Sequence, residues 1–258
     1  MLKGISTPFL HCAISYKYYD IEDAYSHLKV IGKRVEQKQI PKELSPLIFC
    51  VTGRGRTAQG VVEVMENFPV KKINPQQLEE IWQDKDNPKH RKNIYLLSVN
   101  TEDCMEPLDS NAKYDKQDYY KNPGKYRCNF AEKILPKISA LFHCIYWEPG
   151  FPKYIENKDL YNLAKEKRLR LLGVCDITCD LDGSIECLQE YTFPEAPFFY
   201  YDAIEDKRSF DSTYKDEKIF YLAVDFLPCE LAYDACINLY IQLAISADCS
   251  PTGLKHWP

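Results

Sequence analysis

An excess of positive charge is the first thing this chain lacks: 33 Lys and Arg stand against 38 Asp and Glu, for a formal net charge of -5. There is no basic field of the kind that wraps nucleic acid, and no nucleic-acid partner is expected. Nor does any stretch of the 258 residues approach the ~20 consecutive apolar residues of a membrane-spanning helix, which excludes helical spans. Histidine is scarce, at five residues, and paired C-x-x-C spacings are missing. Cys175, Cys179 and Cys187 form the tightest cysteine group, with no histidine near them, so the usual zinc patterns are excluded and no metal site is expected. The eleven cysteines, scattered from Cys12 to Cys249, follow no recognisable signal peptide. They read as free thiols of a reducing compartment, not as a disulfide scaffold.

What is present is an alternation of two periodicities. Residues 21–38 carry apolar positions at helical spacing and stop before Pro41, a lead-in helix. A short apolar run over 47–51 ends at Gly53, and 58–68 is again helical. The alternation continues with strand 70–73, helix 75–82 and strand 94–99, then helical material over 130–135. Apolar runs at 138–146 and 169–177 follow, with a charged amphipathic helix over 158–167 between them. Two polar stretches, 84–91 and 102–127, read as surface excursions. Beyond Gly183 come β-like pieces at 198–201 and 219–224 and a helix over 228–244. Strands alternating with helices of this length imply an α/β fold: a Rossmann-type parallel sheet with helices on both faces, a short N-terminal lead-in helix and surface insertions. Residues 1–45 then form a joining segment with the lead-in helix, and 46–258 the dinucleotide-binding domain.

The run Val51-Thr52-Gly53-Arg54-Gly55-Arg56-Thr57-Ala58 fits G-x-G-x-x-A, the dinucleotide fingerprint with alanine at its third small position. Gly53 permits the tight turn, Gly55 lets the backbone approach a pyrophosphate, and Ala58 lets the helix pack closely on the strand. The helix N-terminus then offers unpaired amides and a partial positive charge to phosphates. An NAD-preferring site would place a carboxylate about twenty residues onward, at the end of the second strand. There the chain has Ile73 and Asn74, flanked by Lys71 and Lys72. With Arg54 and Arg56 in the turn, that composition favours NADP over NAD, with NAD still allowed.

Segments away from the turn resemble the saccharopine-forming lysine-ketoglutarate reductase family, the reductase half of aminoadipic semialdehyde synthase. They are Ser6-Thr7-Pro8-Phe9-Leu10, Cys144-Ile145-Tyr146-Trp147-Glu148, Cys175-Asp176-Ile177 continuing to Asp180, Gly183-Ser184-Ile185-Glu186, Pro197-Phe198 with Tyr201-Asp202, and Asp225-Phe226-Leu227-Pro228. They run in family order across nearly the whole chain. The resemblance implies an oxidoreductase that condenses lysine with 2-oxoglutarate, using a nicotinamide cofactor held between two Rossmann-like domains. Carried over by position, Gly55, Arg56 and Thr57 would meet the pyrophosphate and Tyr146 the adenosine half. Ile177, Thr178 and Cys179, with Val224, Asp225, Phe226 and Leu227, would line the nicotinamide side. Asn74 departs from the acidic residue of the fungal version of this turn.

The resemblance also implies what is missing. The family's catalytic lysine and histidine belong to a domain that precedes the stretch matched here, so no catalytic residue can be named, and a separate chain supplying that domain is an expected partner. His11, His27 and His143 stand in no recognisable triad. Two readings stay open: the cofactor-binding part of an NADP-dependent saccharopine-forming oxidoreductase, or a non-catalytic nucleotide-sensing or interaction module that keeps the fold. The expected compartment is cytoplasmic or mitochondrial, with cytoplasm preferred.

Overall fold

The computed structural model describes residues 5–210 and 218–237. The lead-in helix forms as expected. α1 (Ile21–Lys38) is capped by Asp20, whose carboxylate accepts the Asp23 amide at 2.8 Å, and it buries Ala24, Ile31 and Val35 along one stripe. It ends where Gln39 turns the chain at φ 61°, a left-handed conformation that terminates helices.

Next come β1 (Leu47–Thr52), α2 (Arg56–Met65), β2 (Val70–Ile73), α3 (Pro75–Gln83) and β3 (Ile94–Val99). Asn74 and Gln77 cap α3 reciprocally, with Pro75 opening its first turn, an arrangement that satisfies two orphan amides. The segment expected as a polar excursion is more structured than its composition implied. It folds into α4 (Thr101–Cys104), β4 (Met105–Pro107), α5 (Lys116–Lys121) and β5 (Tyr126–Cys128), with β4 and β5 paired antiparallel. Its tyrosines turn inward: Tyr119 packs edge-on against Tyr126, Tyr120 and Phe151, and Cys104, Met105, Tyr119 and Tyr126 are all buried.

α6 (Phe130–Lys133), β6 (Ala140–His143), α7 (Asn157–Lys165), β7 (Gly173–Asp176), β8 (Phe198–Asp202), β9 (Lys207–Ser209) and β10 (Lys218–Leu222) complete the described elements. A 3-10 turn at Leu227–Leu231 leads into helical residues 232–237. The rest of the helix expected over 228–244 lies outside the described residues.

One sheet of eight strands runs β2-β3-β1-β6-β7-β10-β8-β9. The first six are parallel, while β8 and β9 add as an antiparallel flank. Period-two alternation gives each strand two faces. On one, Ile48, Cys50, Tyr95, Leu97, Leu141 and Val174 pack with Leu78 of α3 and Leu160 and Leu163 of α7. On the other, Leu47, Val51, Ile94 and Leu96 pack with Val35 of α1 and Ala58 and Met65 of α2. Helices therefore cover both faces, as an α/β Rossmann-type fold requires.

The strand order carries one correction. β1 is flanked by β3 and β6, and β2 lies outside β3 at the sheet edge. The second strand in sequence is thus not the neighbour of β1, and Asn74, expected among the cofactor-binding residues, stands past the outer strand as the cap of α3. The difference is one of burial: β1 and β3 are six-residue, almost wholly buried strands in continuous register from Leu47 opposite Ile94 to Thr52 opposite Val99, whereas β2 is short and leaves Lys71 and Lys72 exposed at the edge.

Candidate nucleotide-binding site

β1 delivers the chain to its carboxyl end at the point where neighbours diverge, β3 to one side and β6 to the other. In open α/β sheets this is where ligands settle. Gly53 makes the turn at φ 89°, and a Cβ there would stand 3.2 Å from the Cys144 carbonyl oxygen and 3.3 Å from Ile145 Cγ1. Its amide donates to the Val99 carbonyl at 2.8 Å. Gly55 is the N-cap of α2, with no side-chain cap bonded to the helix end. A Cβ on Gly55 would meet nothing within 4 Å, so the space over the first turn is open. Arg56 and Thr57 are exposed there, while Ala58 is buried against the sheet. The fingerprint's three small residues thus separate into a forced turn, an open approach and a close helix-to-strand contact, with the amides of α2 facing the opening.

Above the turn lies a cavity of about 230 Å³, lined by Gly53, Gly55, Asn100, Glu102, Lys116 and Tyr146 among others. Tyr146 is 79% exposed, a flat ring free to cover a planar ligand. Glu102 and Lys116, with Tyr114 and Tyr120, come from the stretch read as a surface excursion, Asn100 lies just before it, and sequence reasoning missed all five. The available signal was the density of tyrosine in 114–126, unusual for a solvated loop. Arg54 Nη1 bonds Glu102 Oε1 at 3.1 Å across the mouth. Asn74 does not join this group: it caps α3 on the outer strand, and neighbouring Lys72 pairs with Glu66.

Beneath the turn, polar side chains line the carboxyl ends of β1, β6, β7 and β10. Thr52 Oγ1 accepts the Cys144 amide at 3.1 Å and sits 3.0 Å from His143 Nδ1. His143 is fully buried and its Nε2 has no partner among the described residues. Burial pushes its imidazole below the usual value, against the opposing pull of the Asp176 carboxylate, so it is held neutral. Buried Asp176 accepts the Tyr221 hydroxyl at 2.7 Å, the Thr178 hydroxyl at 2.7 Å and the Cys179 amide at 3.3 Å.

The second group of expected residues assembles around that carboxylate. Ile177, Thr178 and Cys179 follow β7; Val224, Asp225, Phe226 and Leu227 follow β10. The two loops touch where the Cys179 thiol donates to the Val224 carbonyl at 3.6 Å. Cys179 adopts φ 52°, a conformation sparsely populated by non-glycine residues and held here by its bonds to Asp176. Asp225 and Phe226 are exposed on the same edge. Burial pushes the Cys144 and Cys179 thiols up to about 12, so neither is a thiolate nucleophile near neutral pH. Among the described residues no cluster of metal-ligating side chains occurs, and no helix is long and apolar enough to cross a membrane.

No family model matches the chain. Similarity to curated proteins is nevertheless extensive. Over 242 residues, 91% of this chain, it is 34% identical to the alpha-aminoadipic semialdehyde synthase of Arabidopsis thaliana. Over 245 residues, 90% of the chain, it is 27% identical to the mitochondrial alpha-aminoadipic semialdehyde synthases of Mus musculus and Bos taurus. The chain spans 22% of the plant relative's length and 26% of the mammalian ones.

Proposed function

We propose, from the premise that this chain belongs to the lysine-ketoglutarate reductase and saccharopine dehydrogenase family, that it is the cofactor-binding part of an oxidoreductase acting in saccharopine formation. Residues 46–258 would be the dinucleotide unit and 1–45 its joining segment. The single observation that carries this is the open first turn of α2 at the divergence of β3 and β6, where Gly55 leaves room for a diphosphate.

The pyrophosphate would lie on the amides near Gly55, Arg56 and Thr57, the adenosine half toward Tyr146 and Asn100, and the nicotinamide toward Thr178, Cys179 and Asp225. The bound cofactor supplies the hydride chemistry. The chain's own residues would orient it. The support for NADP moves from Lys71 and Lys72, which stand on the outer strand, to Arg54 and Lys116 at the cavity; Glu102 opposes it, and NAD remains a competitor. The lysine and histidine of the imine chemistry would come from a further domain, on this or another chain. Relation to enzymes named as mitochondrial supports the mitochondrion beside the cytoplasm, and the preference for the cytoplasm is dropped.

The second reading, a nucleotide-sensing module, is favoured by one observation: His143 is sealed and neutral and the nearby thiols are protonated, which suits holding a ligand more than turning it over. Titrating NADPH and NADH while following nicotinamide fluorescence tests both. Saturable enhancement is expected, and none at millimolar cofactor defeats nucleotide binding in either form. Adding lysine and 2-oxoglutarate, with and without the missing domain, then separates enzyme part from sensor.

A further inference from the structure

At the opposite, amino-terminal edge of the sheet, a second cavity of about 530 Å³ opens between the end of α1, the turn that follows it and the approach to β3. Its walls carry the cations Arg34, Lys38, Lys42 and Arg91 against one carboxylate, Glu43, with the hydroxyls of Ser6 and Thr7 and the ring of His11 in the same lining. In a chain of net charge -5 that concentration of cations runs against the overall balance. Arg34 and Lys38 are one helical turn apart on α1, a like-charge spacing that is unfavourable unless something compensates it.

Among the described residues, pairing does not supply that compensation. A larger cavity of about 650 Å³ also has many charges, but there Lys153 pairs with Glu186, Lys158 with Glu156 and Arg168 with Glu166. Around the amino-edge cavity, none of Arg34, Lys38, Lys42 and Arg91 is in an ion pair among the described residues. The negative end of α1 offsets Lys38 only in part. Arg91 is half-buried and fixed, its Nε donating to the Ile40 carbonyl at 2.9 Å while the Arg91 carbonyl accepts the Ile40 amide at 2.7 Å. With Nε anchored in this way, the remaining guanidinium donors are oriented in advance, the condition under which arginine recognises oxyanions most effectively. Six-residue strands separate this edge from the glycine turn by about 20 Å, so the two sites do not share a ligand.

We propose that this cavity binds a small multivalent oxyanion, with Arg91 as the fixed donor and Arg34, Lys38 and Lys42 as mobile cations that close on it. Phosphate esters and polycarboxylates share the required chemistry.

Isothermal titration of the whole chain with inorganic pyrophosphate and, separately, with citrate tests the site and tells these sources apart. At least one anion binds saturably at one site, and binding survives in Gly55→Val, which removes the nucleotide turn from consideration. Combining Arg34→Glu with Lys38→Glu weakens it about tenfold or more without lowering the melting temperature, since both side chains are exposed. Lys38→Gln with Lys42→Gln gives a smaller loss without reversing any charge. The control pair Lys29→Glu with Lys33→Glu, of equal net charge to the first variant, retains binding. The proposal is overturned if neither anion saturates, if the control loses as much as the test variant, or if Gly55→Val abolishes the heat.

Discussion

Arg54 in the glycine turn and Glu102 just past β3 meet across the mouth of the candidate nucleotide cavity, 3.1 Å from Nη1 to Oε1. Both are substantially exposed, at 62% and 40% of their side-chain surface, so the pair adds at most about 1 kcal/mol to stability. Its importance is positional: β3 is the strand beside β1, and a carboxylate just after that strand lies where the ribose of an adenine dinucleotide is read. On the proposed reading, Glu102 would repel a 2′-phosphate and already holds the arginine that would receive one.

Glu102→Gln is therefore expected to raise the affinity for NADPH relative to NADH by about tenfold, a difference of roughly 1.4 kcal/mol. Arg54→Gln should shift the ratio the other way. Parallel fluorescence titrations measure both. An unchanged ratio in Glu102→Gln removes this residue from cofactor choice while leaving dinucleotide binding itself intact.

The two glycines of the turn are expected to fail in different ways. Gly55 has an ordinary φ of -72° and open space where a Cβ would go, so Gly55→Val should fold with only a few tenths of a kcal/mol lost at the cap while cofactor binding weakens by at least about tenfold, because the branched side chain fills the diphosphate's place. Gly53, at φ 89° and crowded by Cys144, should lose about 1–3 kcal/mol of stability as Gly53→Ala through backbone strain. Urea unfolding and cofactor titration on the two variants separate these effects.

The glycine turn, the α/β alternation and most strands were legible because each rests on a local rule: steric need at Gly53 and Ala58, period two in Leu47–Thr52, reciprocal capping at Asn74 and Gln77. Strand order was not legible. Nothing within residues 70–73 or 94–99 states which run lies beside β1; that follows from burial on both faces, a tertiary property of Ile94 to Val99. The place of Asn74 past the outer strand was therefore not legible either, nor was the approach of Asn100 and Glu102 to the glycine turn. The tyrosines at 114, 119, 120 and 126 were hidden by polar neighbours, since composition averages a segment whose alternate residues face opposite ways. The pairings of His143 and Asp176 gave no sequence signal, because their partners, Thr52 and Tyr221, are 91 and 45 residues away.

Tyr221 bonds a carboxylate that also fixes the Thr178 and Cys179 turn. Tyr221→Phe preserves the ring and its stacking on Phe199, whose centroid is 5.1 Å away, but deprives buried Asp176 of a donor. The expected cost is about 1–3 kcal/mol, read as a lower urea midpoint with an unchanged slope. A midpoint equal to the parent's would show that solvent already satisfies Asp176 and that the turn needs no help from β10.

His143 gives the fold a pH dependence whose sign follows from its burial. Its folded pKa lies below 6.5 through desolvation, so between the two values the unfolded chain holds a proton that the folded chain does not. Stability from this source is complete above about 6.5 and declines as pH falls below it, by up to about 1.4 kcal/mol per pH unit. Glu106, held down to about 2 chiefly by Lys133, acts in a separate window: its contribution is present above its ordinary 4.5 and is lost only as pH falls from there toward 2. Urea midpoints measured from pH 7 to 5 should therefore slope downward in the parent and flatten in His143→Gln, which can still accept the Thr52 hydroxyl but does not titrate. Equal slopes in the two proteins would mean that His143 takes up its proton while folded, and that the seal over the end of β6 is open to water.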